Sequence, residues 1–347
     1  MRSLTSLVLV GLVACGDSDP DPLSPREVAF DATVDASGLS EDLVFEIPEG
    51  TRSITVVAEG ANDALYALGA FALGDGADLV QLPSGPPGAA MQTSYMQEQI
   101  GQMPGGLFQS IRLGTFTHVY PYESGQSVIA GTAQLRVASN QPGPVAITIV
   151  MPEDDGANVL PLSVYLVSDT IVDPNVPAFT SELDRVFAQA GITVRIDGVE
   201  RLTGTALEQI TDFNEPQESP TSQSAMVPAL VADRPNPGLD VFFVEQLPSG
   251  VAGLSLGTPG PPIRGSYYFG VIVRGGFQPA EMARITAHEV AHFLALQHVQ
   301  NRGISGMTYP DPIDDTTPGV DNLMEDGTVL TPGQSFALTR SALLVVP

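Results

Sequence analysis

The sequence predicts a multidomain chain, an all-β sandwich followed by an α+β domain, and three observations point to it. Its 347 residues are more than a single core usually serves, and 43% hydrophobic with 16% charged residues is a globular composition. From about Glu27 to Pro152, short alternating runs recur between turn residues, the spacing of antiparallel strands in a sandwich. Beyond the charged, turn-rich segment Glu153-Asp154-Asp155-Gly156-Ala157-Asn158 helical and extended patterns mix, which places the boundary there: a first domain over 27–155 and a second over 156–347.

Taken in order, the runs Val28 to Val34, Leu43 to Ile47, Ser53 to Ala58, Leu65 to Phe71, Thr132 to Ala138 and Val145 to Met151 alternate apolar and polar residues as half-buried strands do. Between them, Leu82 to Gly106 is rich in Pro, Gly, Gln and Met and reads as a long loop whose methionines pack on the sandwich. His118, among Thr117, Val119 and Tyr120, reads as an ordinary strand histidine. In the second domain Leu160 to Val167 predicts a strand. Thr180 to Ala190 predicts a helix capped by Thr180 and stopped by Gly191, and Ile192 to Ile196 a further strand. Leu239 to Val244, Val251 to Leu256 and Tyr268 to Val273 follow as strands, Pro279 to Leu296 as a long helix, and Ser335 to Leu344 as a last helix opened by Thr331-Pro332-Gly333-Gln334.

Charge and cysteine usage narrow the partners. A formal net charge of -26 argues against nucleic acid or an anionic membrane surface, because phosphate binding needs clustered cations. All 14 basic residues are arginines, which fits a compositional habit better than a function. At the N-terminus Arg2 precedes the apolar run Leu4 to Val13, too short for a membrane span, so residues 1–15 read as a signal peptide. Leu12-Val13-Ala14-Cys15 resembles the bacterial lipobox, which implies that Cys15 is lipidated and tethers the chain to a membrane through residues 16–26, outside the cytoplasm at the outer membrane or cell surface. A plain secretory signal cut after Ala14 is the alternative. Cys15 is the single cysteine, so no intrachain disulfide forms and no other thiol can occupy a metal site.

The chemistry is concentrated in His288-Glu289-Val290-Ala291-His292-Phe293-Leu294-Ala295-Leu296-Gln297-His298, which holds three of the four histidines. Residues four apart share a helix face, so His288 and His292 can offer imidazole nitrogens to one ion, with Glu289 beside the open position. Zinc held by three protein ligands keeps a fourth place for water, which it acidifies. His298 supplies the third ligand if the helix ends near Ala295 and the chain turns back. The acidic loop Tyr309 to Asp326, with Asp311, Asp314, Asp315, Asp321, Glu325 and Asp326, could hold calcium through carboxylate oxygens, though it has no fixed calcium pattern and reads first as a solvated loop.

These residues resemble the metzincin metalloproteases, whose motif HExxHxxGxxH is followed by a methionine-containing turn. The three histidines and the glutamate match; Ala295 stands where that family has glycine. The resemblance spans roughly Leu160 to Pro347 and implies a zinc endopeptidase acting on protein or peptide substrates, with Glu289 as general base. It also implies Met324, in Asp321-Asn322-Leu323-Met324, as the turn methionine, with Met307 the alternative. It further implies that the edge strand carrying Gly253, Leu254, Ser255 and Leu256 pairs with substrate backbone. The tyrosine that some members carry two residues after the turn methionine is replaced here by Asp326; Tyr309 is a conceivable helper. The sandwich looks like the jelly-roll modules that accompany secreted bacterial peptidases. From another class, the rival expectation is a surface binding or adhesion lipoprotein with a structural metal site, and the unliganded Glu289 speaks against it.

Overall fold

The computed structural model describes residues 25–347 except 62, 77, 82–107, 113, 175, 203, 205–206, 211–226, 228–229, 231–233, 235–236, 267 and 303–307. Cys15, the lipobox, the tether up to residue 24, the methionine-rich loop and Met307 therefore lie outside the described residues.

Among the described residues nine strands build the first half: β1 Arg26–Val34, β2 Leu43–Ile47, β3 Ile54–Gly60, β4 Tyr66–Ala72, β5 Asp78–Gln81, β6 Phe108–Arg112, β7 Thr115–Tyr120, β8 Gly131–Ser139 and β9 Gly143–Met151. They form two antiparallel sheets, ordered β1-β9-β3-β7-β6 and β2-β8-β4-β5. The alternation read from the sequence is the cause: in β2 Leu43, Phe45 and Ile47 are buried while Val44 and Glu46 face out. One apolar core lies between the sheets, with Ile54, Val56, Ala58, Ile147 and Ile149 from one and Phe45, Leu68, Phe71, Leu135 and Val137 from the other. Phe71 meets Tyr120 edge-on across it at 6.4 Å between centroids. Strands β5 and β6 are not among the runs legible in the sequence, and β7 shows there only as the strand setting of His118; Thr115 to Tyr120 is buried on both faces and so lacks alternation.

The second half is built on one five-stranded sheet, ordered β11-β10-β12-β14-β13, from β10 Val159–Leu166, β11 Thr193–Arg201, β12 Leu239–Val244, β13 Gly253–Ser255 and β14 Val271–Arg274. Four strands run parallel and β13 is an antiparallel edge. Helices α1 Pro177–Phe187 and α2 Pro279–Phe293 cover one face. There Phe179, Leu183 and Val186 of α1 and Met282, Val290 and Phe293 of α2 join Leu162, Val164, Val241, Phe243 and Val273 in one core. The opposite face is filled by Tyr165, Phe242, Val244 and Ile272 against Leu202, Leu207, Ile210, Val227 and Leu230. A short ribbon pairs β15 Gln300–Arg302 with β16 Thr308–Pro310, and α3 Pro332–Leu338 closes the chain.

The protein is thus β-rich, with several sheets and separate cores. Three expectations on helix ends are corrected. Helix α2 ends at Phe293 rather than Leu296, because Ala295 takes a positive φ and turns the chain back. Helix α1 starts three residues earlier than Thr180, because Pro177 sits at its first turn, where its fixed φ and missing N–H cost nothing. Thr180 is inside it and its hydroxyl bonds back to the Val176 and Pro177 carbonyls. The last helix ends at Leu338 rather than Leu344, and its start is the capping box formed by Thr331 and Gln334. Gly191, at φ 70°, stops the single 3-10 turn after α1 as expected.

Among the described residues, side-chain hydrogen bonds join the two halves in three regions. Arg52, 5% exposed, donates to the carbonyls of Ser341 at 3.0 Å and Ala157 at 3.3 Å, and Ser53 Oγ donates to Arg340 O at 2.5 Å. Ser266 Oγ donates to Glu59 at 2.5 Å. Tyr122, which follows β7, is buried within the core of the second half and donates to Ala295 O at 3.0 Å. These polar links are inside the contact, where a hydroxyl or guanidinium must find partners to offset its lost hydration.

Candidate metal centre

Helix α2 is buried along most of its length, with Ala283, Ala287 and Ala291 letting it lie close to the sheet. His288 and His292 stand one turn apart, ring centroids 4.7 Å. The helix stops at Phe293 in a Schellman motif: Leu296 N–H donates to Ala291 O at 2.9 Å and Ala295 N–H to His292 O at 3.0 Å. Ala295 takes the left-handed position, φ 99°, and is the one non-glycine residue with positive φ among the described residues. An alanine there costs on the order of 1 kcal/mol relative to glycine. The reversal brings His298 back over the helix.

Three imidazole nitrogens converge as a result. His298 Nε2 lies 3.1 Å from His288 Nε2 and 3.2 Å from His292 Nε2. His288 Nδ1 faces Leu323 O at 2.6 Å and His292 Nδ1 faces Leu296 O at 2.7 Å. A carbonyl only accepts, so both Nδ1 atoms carry the proton and both Nε2 atoms present lone pairs. The proton on His298 can serve one of these at most. Three converging nitrogens suit a cation: with ligand bonds of 2.0–2.1 Å, tetrahedral zinc spaces its nitrogens by about 3.3 Å. The triad is the group among the described residues that could hold a metal ion, its ligand atoms all within 4.8 Å of one another. Burial holds His288 down at about 4 and pushes His292 well below the ordinary imidazole value, and partial desolvation also lowers His298, so all three are neutral, as ligands must be. The carbonyl partners fix ring orientation, the usual support for a metal-binding histidine.

Glu289 lies in the same cleft, which has a volume of about 510 Å³ and is also lined by Gly253, Leu254, Ser255, Gln297, Arg284, Glu325 and Asp326. Burial pushes its carboxyl up to about 8, opposed by a hydrogen bond from the Ser255 backbone. A bound dication would favour the ionised form. Strand β13 forms the cleft's other wall. Arg274 N–H donates to Ala252 O and Leu256 N–H to Gly270 O, so by alternation the polar backbone of Gly253 and Ser255 turns away from β14. Leu256 is the exception among the four expected edge residues: it lies beyond β13, is 4% exposed and packs into the core on the far face of the sheet.

Met324 is fully buried in the turn after Asp321. Its N–H donates to Asn322 Oδ1 at 2.9 Å, and the amides of Asn322 and Gln334 bond each other reciprocally. Since Leu323 O holds His288, this turn is fixed against the triad. The side chain of Tyr309 is outside the described residues. The acidic loop does not gather its carboxylates: Asp311 accepts from Thr316, Asp315 from Thr331 and Gly333, Asp321 from Thr328 and Glu325 from Gly319. These bonds build turns, and no calcium-type cluster of three carboxylates occurs among the described residues.

Some supporting residues were missed in the sequence. Gln297, 6% exposed, lines the cleft with Oε1 lacking a hydrogen-bond partner. Asn322 and Gln334 are twelve residues apart in sequence, and Tyr122 is 173 from Ala295. No local pattern signals pairs of that kind.

Fold and centre together define a β-rich multidomain protein with a three-histidine site that could hold a metal ion in an open cleft. A scan against protein-family models gave no match, and a search of curated proteins gave no significant one.

Proposed function

We propose that this protein is a zinc endopeptidase of metzincin type, lipid-anchored outside the cytoplasm through Cys15. The observation that carries the reading is the meeting, in one cleft, of three neutral imidazoles, an unliganded carboxylate and the outer edge of β13. When bound, zinc supplies Lewis acidity, acidifying water and polarising a carbonyl. His288, His292 and His298 hold it through Nε2. Glu289, at the side of the triad, takes the proton of the attacking water at its carboxylate and delivers it to the departing amine. An extended substrate adds to the outer edge of β13, bonding the backbone of Gly253, which orients the scissile carbonyl without demanding a particular side chain. An open cleft favours this over a structural site, which closes its metal with four protein ligands.

Glu289→Gln tests the reading. The variant keeps the side chain's shape but loses its basicity, so zinc content should stay near one equivalent while cleavage of a diverse peptide pool falls by on the order of 100-fold or more. Wild-type cleavage should stop with chelator and return with zinc. A wild type without chelator-sensitive cleavage, or a Glu289→Gln protein as fast as wild type, removes the enzyme assignment and leaves the binding lipoprotein.

A further inference from the structure

One side chain of the sandwich half, Tyr122, reaches the chain reversal that leads from His292 to His298. Tyr122 is 1% exposed and shares the core of the second half, yet it comes from the segment after β7. Its hydroxyl donates to Ala295 O at 3.0 Å, and the Gln297 backbone forms a further hydrogen bond to the same phenol. Ala295 and Gln297 belong to the reversal that carries the chain from His292 round to His298. The reversal turns on a left-handed alanine rather than a glycine, so its own backbone preference works against it. A phenylalanine would fill the same space; a buried hydroxyl is kept only at a cost unless its bonds are made.

We infer that Tyr122 is a positioning residue for the metal centre: its hydroxyl clamps the Ala295 to Gln297 reversal and so fixes His298, which means the sandwich completes the site of the other domain. This rests on the reading of His298 as a ligand. The links of Arg52 and Ser53 tie the same two halves but reach Ala157, Arg340 and Ser341, not the reversal. They provide a control for domain contact alone.

The test uses the full chain and the variants Tyr122→Phe, Ser53→Ala and Tyr122→Phe/Ala295→Gly, with two readouts. In metal-free protein, amide hydrogen exchange over Ala295 to His298 should quicken about tenfold in Tyr122→Phe and stay unchanged in Ser53→Ala. By chelator competition, zinc affinity should fall about tenfold in Tyr122→Phe, the scale seen when a ligand's support is removed, and not in Ser53→Ala. Ala295→Gly removes the Cβ cost, so the double variant should recover much of that affinity. Unchanged exchange over Ala295 to His298, or equal losses in Tyr122→Phe and Ser53→Ala, overturns the inference. His298→Ala separates the two questions: if it binds zinc like wild type, the ligand assignment fails, while the exchange measurement still decides the clamp.

Discussion

Asp240 shows how a single residue acquires properties its sequence neighbours do not disclose. It stands on β12, 1% exposed, with both carboxylate oxygens lacking hydrogen-bond partners and Arg264 Nη2 3.7 Å away. Burial pushes its carboxyl up to about 7, and the charges of Arg264 and Arg234 offset this only in part. The folded protein therefore holds this proton more tightly than the unfolded chain. The stabilisation is complete below the ordinary value of 3.8 and is lost as pH rises through about 7. Asp240→Asn cannot ionise, so its melting temperature should depend less on pH between 4 and 8. At pH 8 it should exceed wild type by on the order of 2–4 kcal/mol, with little difference at pH 4. Parallel profiles for the two proteins would show that this carboxylate does not govern the pH response. The sequence marked Asp240 only as part of an apolar strand, whereas at Ala295 it marked both the site of the reversal and the residue type that makes it costly.

At the scale of elements, the contact of β13 with α2 decides the shape of the cleft. A Cβ on Gly253 would lie 2.5 Å from Glu289 Cγ and 2.7 Å from its Oε1. Strand and helix can stand this close only because position 253 has no side chain. Gly253→Ala must turn the carboxylate aside or part the strand from the helix. Zinc content should then be retained, since no ligand is touched, while peptide cleavage falls about tenfold or more because the proton acceptor is misplaced. Full activity in Gly253→Ala would mean that Glu289 relaxes freely and that this contact does not set the geometry. Long patterned elements such as β10, β12 and α2 were legible because burial of one or both faces dictates their residues over many positions. Strand β13 was legible as a place but not in extent: it is three residues long, and pairing with β14 rather than periodicity ends it.

For the molecule as a whole, domain contact and the proposed attachment set the context of the cleft. No described helix is long and apolar enough to cross a membrane. The anchor proposed above is Cys15, on the lipobox resemblance of Leu12-Val13-Ala14-Cys15. Cells fed labelled fatty acid should label the wild type and not Cys15→Ser, and the variant should leave the detergent phase; equal labelling of both would remove lipidation from the account. The contact between the halves is polar at Arg52, Ser53 and Ser266 and apolar around Tyr122, so the sandwich is fastened to the second half rather than strung beside it.

The sequence by itself determined the division into a strand-rich first half and a mixed second half, because alternation and turn chemistry are local. It also determined that His288, Glu289 and His292 share one helix, because 3.6 residues per turn leaves no freedom in how residues four apart are arranged. Only the tertiary structure decided that His298 closes the triad, since that depends on a left-handed Ala295 held by a Schellman motif and by Tyr122 from the other half. It alone decided that Asp311, Asp315, Asp321 and Glu325 of the acidic loop accept hydrogen bonds within turns, that Leu256 faces a core instead of the cleft, and that Gly253 lies against Glu289. These features arise between residues far apart in the chain, where packing and hydrogen-bond completion choose the partners and no short-range pattern records the choice.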